Sequence, residues 1–365
     1  MTFAKEDTEL LKRLSESFGP SGFEREPAGI VKEAGSPFAD SVSFDKLGSV
    51  IFRKSGKEES PRILMAGHMD EVGFVVTGID EQTGFISFSP LGGWFDQVLL
   101  GQRVRIRAGK GDVTGVISSK PPHLLAPEER EKVVRLTSMY IDVGATGRKE
   151  VERDFGIKIG DPVAPDASFL FTGRNSCVIG KAFDDRVGTF VGLQVLKHLR
   201  KKHVDHPNTV FMAATVQEEV GLRGAQTVSH IVDPDVAFAL EVDIAGDVPG
   251  IKPSEAPSRI GKGPSILTFD ASMIPNQELK SFVIDTAEKE RIPYQLSTVS
   301  RGGTDAGKFH MNRAGCPSIV IGVPTRHIHS HSAIASLDDI DAAVRLMVAV
   351  IRMLDSKRAK SFTEL

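Results

Sequence analysis

Residues 63–70 read Ile-Leu-Met-Ala-Gly-His-Met-Asp, a short apolar run that ends in polar side chains. A strand with no polar face belongs in a sheet that is covered on both sides. Similar apolar runs at 209–216, 236–242 and 318–323 alternate with helical patterns such as residues 184–200. This alternation predicts an α/β fold in which helices cover both faces of a mixed sheet.

The segment 73–164 differs from its surroundings, because short β-like runs are separated there by Gly, Asp and Pro. Examples are residues 85–88 and 103–107. This spacing is typical of a small all-β domain. A chain of 365 residues is also long enough for about two domains. We therefore expect residues 73–164 to be an insert in a domain formed by residues 1–72 and 165–365.

The composition narrows the class of protein. The formal net charge is −3, from 45 basic and 48 acidic residues, and this balance does not support nucleic-acid binding. The two cysteines, Cys177 and Cys316, are too few for a disulfide framework, although a single bridge stays open. The N-terminus shows no apolar leader and no run of about 18 apolar residues occurs, so a cytoplasmic location is expected.

Chemically active side chains follow the apolar strands, and such groups gather beyond the carboxyl ends of strands in open α/β sheets. The candidates are His68, Asp70, Glu218, Glu219, Glu241, Asp243, His327, His329 and His331 near four strands, and Asp184 and Asp185 at a helix start. Taken singly, each has a plain alternative. An Asp at a helix start is a good cap, a Glu-Glu pair is commonly solvated, and a lone histidine is more often structural.

The set as a whole favours a metal site. Buried carboxylates cost several kcal/mol each unless they are paired or bound to a cation. Imidazoles with carboxylates suit Zn²⁺, with Co²⁺ or Mn²⁺ as substitutes. Two metals about 3.5–4 Å apart require a carboxylate that bridges both ions. Another carboxylate, outside the ligand set, must take a proton from water and hand it to the leaving amine.

Adjacent Glu218 and Glu219 can divide the tasks of base and ligand, because neighbouring side chains leave the backbone in different directions. Asp70, two residues after His68, is placed to hold the far nitrogen of that imidazole.

Ordered motifs over nearly the whole chain carry a family resemblance. They are Gly-Pro-Ser-Gly-Phe-Glu at 19–24, Gly-His-Met-Asp-Glu-Val-Gly-Phe at 67–74, Gly-Lys-Ala-Phe-Asp-Asp-Arg-Val-Gly at 180–188, Gln-Glu-Glu-Val-Gly at 217–221, Gly-Thr-Asp-Ala at 303–306 and Arg-His-Ile-His-Ser at 326–330. With them the sequence resembles the di-metal aminopeptidases that include TET aminopeptidases and bacterial glutamyl aminopeptidase. Some members carry the older labels cellulase or endoglucanase M.

The resemblance implies a di-zinc exopeptidase type of fold and a ligand set for two metal ions, Zn²⁺ or Co²⁺. Asp184 is implied as the bridging ligand. His68 and Asp243 would complete one metal site, and Glu219 and His329 the other. The implied activity is release of N-terminal amino acids from short peptides by a metal-activated water.

Further roles follow from the same resemblance. Glu218 is implied as the general base and Asp70 as the partner that orients His68. Relatives often hold the peptide bond between Asp184 and Asp185 in the cis form, and we expect it here. The insert is implied to be a small β-barrel used for dimerisation, and dimers in the family often assemble into a hollow dodecamer.

One departure concerns the last motif, which relatives commonly continue as His-Ser-Pro followed by an acidic residue. Here residues 329–333 read His-Ser-His-Ser-Ala. If this segment is extended, His327, His329 and His331 point to the same side. His329 is the preferred ligand, and contact of His327 or His331 with the metal stays open.

Particular residues argue against other functions. Residues 302–309 nearly fit a phosphate-binding loop, but Phe309 stands where Ser or Thr should hold Mg²⁺. We instead expect Thr304 and Asp305 to line the substrate site, with a simple turn as the alternative.

An endoglucanase function would leave the histidines unexplained, and this chain has one Trp for stacking on sugar rings. A related di-metal deacylase or carboxypeptidase, or a scaffold with a vestigial site, stays open. The preferred N-terminal residue is not readable from sequence.

Overall fold

The computed structural model describes residues 3–174, 176–201 and 203–364. The described chain forms a large mixed sheet with helices packed on it, together with a closed β-barrel. Within these residues, no helix combines the length and the apolarity needed to cross a bilayer.

The regular elements are numbered in chain order. The helices are α1 Lys5–Glu16, α2 Arg25–Gly35, α3 Pro127–Arg130, α4 Arg148–Glu150, α5 Phe183–Lys201, α6 Arg223–Val232, α7 Gln277–Lys289, α8 Ala306–Phe309, α9 Leu337–Met353 and α10 Ser356–Ser361. The strands are β1 Ser41–Phe44, β2 Val50–Lys54, β3 Arg62–His68, β4 Gly73–Ile79, β5 Ile86–Leu91, β6 Arg103–Ala108, β7 Gly111–Ser118, β8 Tyr140–Asp142, β9 Pro162–Pro165, β10 Leu170–Phe171, β11 Cys177–Gly180, β12 Thr209–Thr215, β13 Val236–Ile244, β14 Ser265–Asp270, β15 Gln295–Val299, β16 Ser318–Arg326 and β17 Ala333–Ser336.

The large sheet has the strand order β1-β2-β12-β3-β13-β16-β17-β11-β10, and β14 joins it beside β16 with β15 outside. Its centre, β12-β3-β13-β16, is parallel. Thr215 at the end of β12 lies opposite His68 at the end of β3, so the carboxyl ends of these strands meet at one edge. The candidate residues that follow the strands are thereby brought together.

Strand β3 shows why helices cover both faces. Ile63 and Met65 point into a core shared with α5 and α9, whereas Leu64 and Ala66 point into a core shared with α6 and α8. Successive side chains of a strand face opposite sides, so an apolar run without alternation has apolar groups to bury on each face. Burial of one such large side chain contributes about 1.5–3 kcal/mol. The predicted two-sided α/β fold is confirmed.

The second body is an antiparallel barrel with the strand order β4-β5-β8-β7-β6-β9, closed by the pairing of β4 with β9. Its interior is filled by apolar side chains such as Phe74, Val104, Ile106 and Ile141. The β-barrel named in the predicted fold is confirmed. Its strands lie between Gly73 and Pro165.

Several elements were not predicted from sequence. They include helix α6 and the outer strands β14 and β15. Strand β15 shows the reason: its pattern of intermediate, exposed, buried, exposed and intermediate side chains is too weak to stand out from a loop. Pairing with β14 holds this strand in place.

Candidate metal centre

His68 ends strand β3 and is buried at the sheet edge. Its Nε2 lies 3.0 Å from Oδ1 of Asp184, and its Nδ1 lies 3.2 Å from the backbone oxygen of Asp70 and 3.4 Å from the Asp70 carboxylate. Because the oxygens beside Nδ1 only accept, Nδ1 carries the proton and Nε2 offers its lone pair to the centre. Asp70 thus has the orienting position expected from its spacing.

Glycine at position 67 lets helix α5 approach β3. A Cβ placed there would lie 2.5 Å from the backbone nitrogen of Thr189, closer than real contacts allow. The close approach brings the Asp184–Asp185 turn beside His68. The peptide bond between these two aspartates is cis, as the resemblance implied.

The two aspartates divide into different tasks. The Asp185 carboxylate accepts hydrogen bonds from the backbone nitrogens of Gly188, at 2.9 Å, and His68, at 3.1 Å. It therefore caps the helical turns of α5 that follow the non-helical Asp184 and Asp185, and it ties the helix to β3. Asp184 points the other way, with Oδ1 toward His68 and Oδ2 3.2 Å from Nε2 of His329. A single carboxylate thus lies between the two imidazoles.

His329 lies in a turn after β16 and has a positive φ of 54°. Its Nδ1 donates to the backbone oxygen of Gly93 at 2.6 Å, and its Nε2 lies 3.3 Å from Oε1 of Glu219. Gly93 follows strand β5 of the barrel, so the barrel supplies the acceptor that orients this imidazole.

Glu218 and Glu219 follow β12 in a turn held by Asp70. The Asp70 carboxylate accepts from the backbone nitrogens of both glutamates, at 3.0 and 3.2 Å, and from the hydroxyl of Ser21 at 2.6 Å. Oε2 of Glu218 reaches to 3.8 Å from Nε2 of His68. Asp70 therefore positions the imidazole and both glutamates together.

Glu241, rather than Asp243, joins the cluster from strand β13. Its Oε2 lies 3.9 Å from Nε2 of His68. A carboxylate oxygen of Glu241, one of Asp185 and a ring nitrogen of His68 lie within 4.8 Å of one another. Asp243 is on the same strand face but one pleat farther along, where the Ser258 hydroxyl donates to it. Among the described residues, the groups that converge on His68 do not include Asp243. Its expected ligand role therefore lacks geometric support.

The charge distribution shows what this centre is suited to hold. Burial raises the pKa of Glu218 and Glu241 well above the usual value, and neighbouring carboxylates raise both further. Burial lowers the pKa of His329, but contacts with Asp184 and Glu219 outweigh it and raise that pKa to about 11.

A cation would relieve this concentration of buried acids. Oε1 of Glu219 is buried with Nε2 of His329 3.3 Å away, yet no well-aligned hydrogen bond satisfies it among the described residues, as expected of an oxygen that shares a metal ion with that imidazole. Carboxylate oxygens with imidazole nitrogens are a donor set that suits Zn²⁺ and related ions. The residues present therefore fit a divalent metal.

The other two histidines of the last motif do not join the centre. The segment is not extended, because His327 and His329 both have positive φ and strand β16 ends at Arg326. His327 is exposed, whereas His331 is buried and its Nε2 lies 3.0 Å from the backbone oxygen of Arg103. Neither lies among the converging ligand groups.

A cavity of about 710 Å³ opens beside the centre. Thr304 lines its wall, and its hydroxyl donates to Asp270 at 2.9 Å. Asp305 is fully buried behind the wall, where it accepts from the Thr215 hydroxyl while its backbone nitrogen lies 3.4 Å from Oε1 of Glu241. The contacts of Asp305 are thus with the supports of the centre rather than with the cavity.

An α/β sheet with imidazoles and carboxylates gathered at its strand ends, beside a cavity, defines a metal-dependent hydrolase. The M42 glutamyl aminopeptidase family matches residues 48–346, and the chain belongs to that family. A lysyl aminopeptidase from Pyrococcus furiosus is 34% identical over 355 residues, covering 95% of this chain and 97% of the relative.

Solved structures of similar proteins support the same family assignment. A TET aminopeptidase from a marine sediment Thaumarchaeota archaeon is 56% identical, covers 98% of this chain and 99% of its own, and superposes with a TM-score of 0.96. The TET1 peptidase of Pyrococcus horikoshii, described as assembling into a tetrahedron or a large octahedral shell, is 31% identical with a TM-score of 0.83, and covers 95% of this chain and 100% of its own. The chain is a metal-dependent aminopeptidase, and the endoglucanase and deacylase alternatives are not favoured.

Proposed function

We propose that this aminopeptidase uses two metal ions held on either side of Asp184. His68, Asp184 and Glu241 would hold one ion, and His329, Asp184 and Glu219 the other. The observation that carries the proposal is that the two oxygens of Asp184 lie 3.0 and 3.2 Å from the Nε2 atoms of two different histidines. A bridging ligand requires a carboxylate shared in this way.

The proposal gives Glu241 the role first expected of Asp243. The hydrogen bond from the Ser258 hydroxyl already satisfies one oxygen of Asp243. The Glu241 carboxylate is nearer to His68, and the Asp305 backbone nitrogen lies beside its second oxygen.

Zn²⁺ or Co²⁺ is the proposed metal, with Mn²⁺ as a substitute. Bound there, the ions would polarise the scissile carbonyl and lower the pKa of a water molecule. Glu218 would take the proton of the attacking water and return it to the departing nitrogen. Its carboxylate faces the centre without sitting between the histidines, which leaves it available for proton transfer.

The proposed substrates are short peptides with a free N-terminus. The cavity has the size that pockets for small ligands usually have, and Leu222, Val242 and Ile328 contribute apolar wall to it. Thr304 is the proposed polar contact between the cavity wall and the peptide substrate. Asp305 would act indirectly, by supporting Glu241.

We also propose that the barrel mediates homodimerisation and that dimers build a dodecamer. Apolar side chains remain exposed on its segment, among them Leu100, Val116, Leu124 and Val133. The tetrahedral or octahedral assembly described for the Pyrococcus horikoshii relative supports self-association. A cytoplasmic location is proposed because Cys177 and Cys316 are both free thiols.

Metal analysis combined with a panel of aminoacyl substrates tests the proposal, with and without chelator. We expect two ions per subunit, release of N-terminal residues, and loss of activity that Zn²⁺ or Co²⁺ restores. Light scattering should give the mass of a dodecamer. Full activity with one ion per subunit, or activity that survives complete metal removal, would contradict the two-metal mechanism.

A further inference from the structure

His331 is buried away from the metal centre, yet it belongs to the same turn as His329. Its Nε2 lies 3.0 Å from the backbone oxygen of Arg103, the first residue of strand β6 in the barrel. Because that carbonyl only accepts, Nε2 must donate. Its side chain is 4% exposed, so little water competes for this hydrogen bond.

The same imidazole also lies beside the barrel loop that orients His329. Its ring centroid is 5.9 Å from that of Trp94. Trp94 in turn stacks on Phe74 at 4.8 Å and donates from Nε1 to the backbone oxygen of Gly73 at 3.0 Å. Trp94 is therefore held by the barrel interior, and its neighbour Gly93 is the residue that accepts from Nδ1 of His329.

Among the described residues, the hydrogen bonds that join this turn to the barrel segment come from His329, to Gly93, and from His331, to Arg103. Two of its residues, His327 and His329, have positive φ, a backbone conformation that non-glycine residues adopt rarely. The hydroxyl of Ser330 donates to the backbone oxygen of His327 at 2.6 Å, which closes the turn on itself but does not anchor it. Besides the bond that His329 itself makes to Gly93, the hydrogen bond that ties the turn to the barrel is that of His331.

We propose that His331 is a positioning residue for the metal half-site of His329. By fastening the turn to strand β6, it holds Nδ1 of His329 against Gly93 and Nε2 toward Asp184 and Glu219. Groups that orient a ligand histidine typically change metal affinity by about 10–100-fold when they are removed. The inference rests on the proposed two-metal site and adds a residue that lies outside the proposed ligands.

The test compares variants of the full-length protein. His331→Leu removes the donor, whereas His331→Gln keeps an amide donor near the position of Nε2. His327→Leu changes an exposed histidine of the same turn and serves as the matched control. His329→Ala identifies which binding event belongs to this half-site. Should His331→Leu not fold, His331→Asn replaces it, because the shorter Asn amide does not reach the Arg103 carbonyl.

Calorimetric titration of Zn²⁺ into the metal-free proteins gives the affinity of each ion. For His331→Leu we expect the event lost in His329→Ala to weaken by about tenfold or more, with the other event within twofold of the parent. His331→Gln should recover most of the lost affinity, and His327→Leu should match the parent.

The inference would be overturned if folded His331→Leu bound the ion of the His329 half-site as tightly as the parent does. Equal weakening of both binding events would also overturn it. Failure of the proposed function looks different. In that case the parent protein binds fewer than two ions, or His329→Ala loses none, whatever residue stands at position 331.

Discussion

The two halves of the metal centre are built from different parts of the molecule. His68 is 1% exposed at the end of a central parallel strand, and its orienting partner Asp70 follows the same strand. The His329 side chain is 33% exposed, in a turn whose orienting acceptor, Gly93, comes from the barrel. The first half depends on the sheet, and the second depends on how the barrel meets the sheet domain.

Asp184→Ala should have the largest effect, because this carboxylate lies between both halves. We expect activity to be lost and metal content to fall by at least one ion per subunit. Metal analysis after gel filtration measures this directly. Asp205→Ala is a suitable control, since that carboxylate is 82% exposed in a surface ion pair. Full metal content in Asp184→Ala would show that the two halves do not share a ligand.

Glu218→Gln should retain both metal ions but lose catalysis. Removing a general base costs about 10²–10⁴ in rate, and we expect kcat to fall by this factor with KM changed only a few fold. Steady-state kinetics on an aminoacyl-anilide, with metal content measured on the same sample, separates the two roles. Activity within tenfold of the parent would rule out this residue as the base.

Glu241→Gln and Asp243→Asn form a matched pair on one face of strand β13. We expect the first to weaken metal binding on the His68 half by about tenfold or more, because a ligand is lost. The second should leave both metal affinities within about twofold, because Asp243 already has a serine donor. Calorimetry on the metal-free proteins measures both. The reverse ranking would return the ligand role to Asp243.

Glu24→Gln should have the smallest effect, on stability. Burial, with the nearby Asp70 charge, raises the pKa of Glu24 from 4.5 to about 7. Its Oε1 accepts from the backbone nitrogen of Gln217, next to the catalytic glutamate. The folded protein holds this proton more tightly than the unfolded chain. The stability that protonated Glu24 contributes to the folded protein is therefore fully present below pH 4.5 and is lost as pH rises through 7.

A neutral glutamine at position 24 should flatten that dependence and stabilise the protein above pH 7 by on the order of 2 kcal/mol. Denaturant unfolding of the metal-free protein between pH 5 and 8 measures the slope. Identical slopes for parent and variant would show that Glu24 keeps an ordinary pKa.

Much of the half of the metal centre around His68 could be predicted from the sequence. Apolar runs predicted the central strands, and the residues just after them, His68, Glu218 and Glu219, do lie together at the sheet edge. The physical reason is that a strand buried on both faces leaves a pattern that few other elements share. The polar groups at its end then have one edge of the sheet on which to gather.

The choice between neighbouring candidates depended on the assembled fold. Glu241 and Asp243 share a strand face, and a two-residue period specifies the face without specifying the distance to His68. An extended segment would have pointed His331 and His329 to the same side, but positive φ values turn the chain and send the two imidazoles to different partners. The histidine contacts join residues more than 200 positions apart, and local patterns do not encode such contacts.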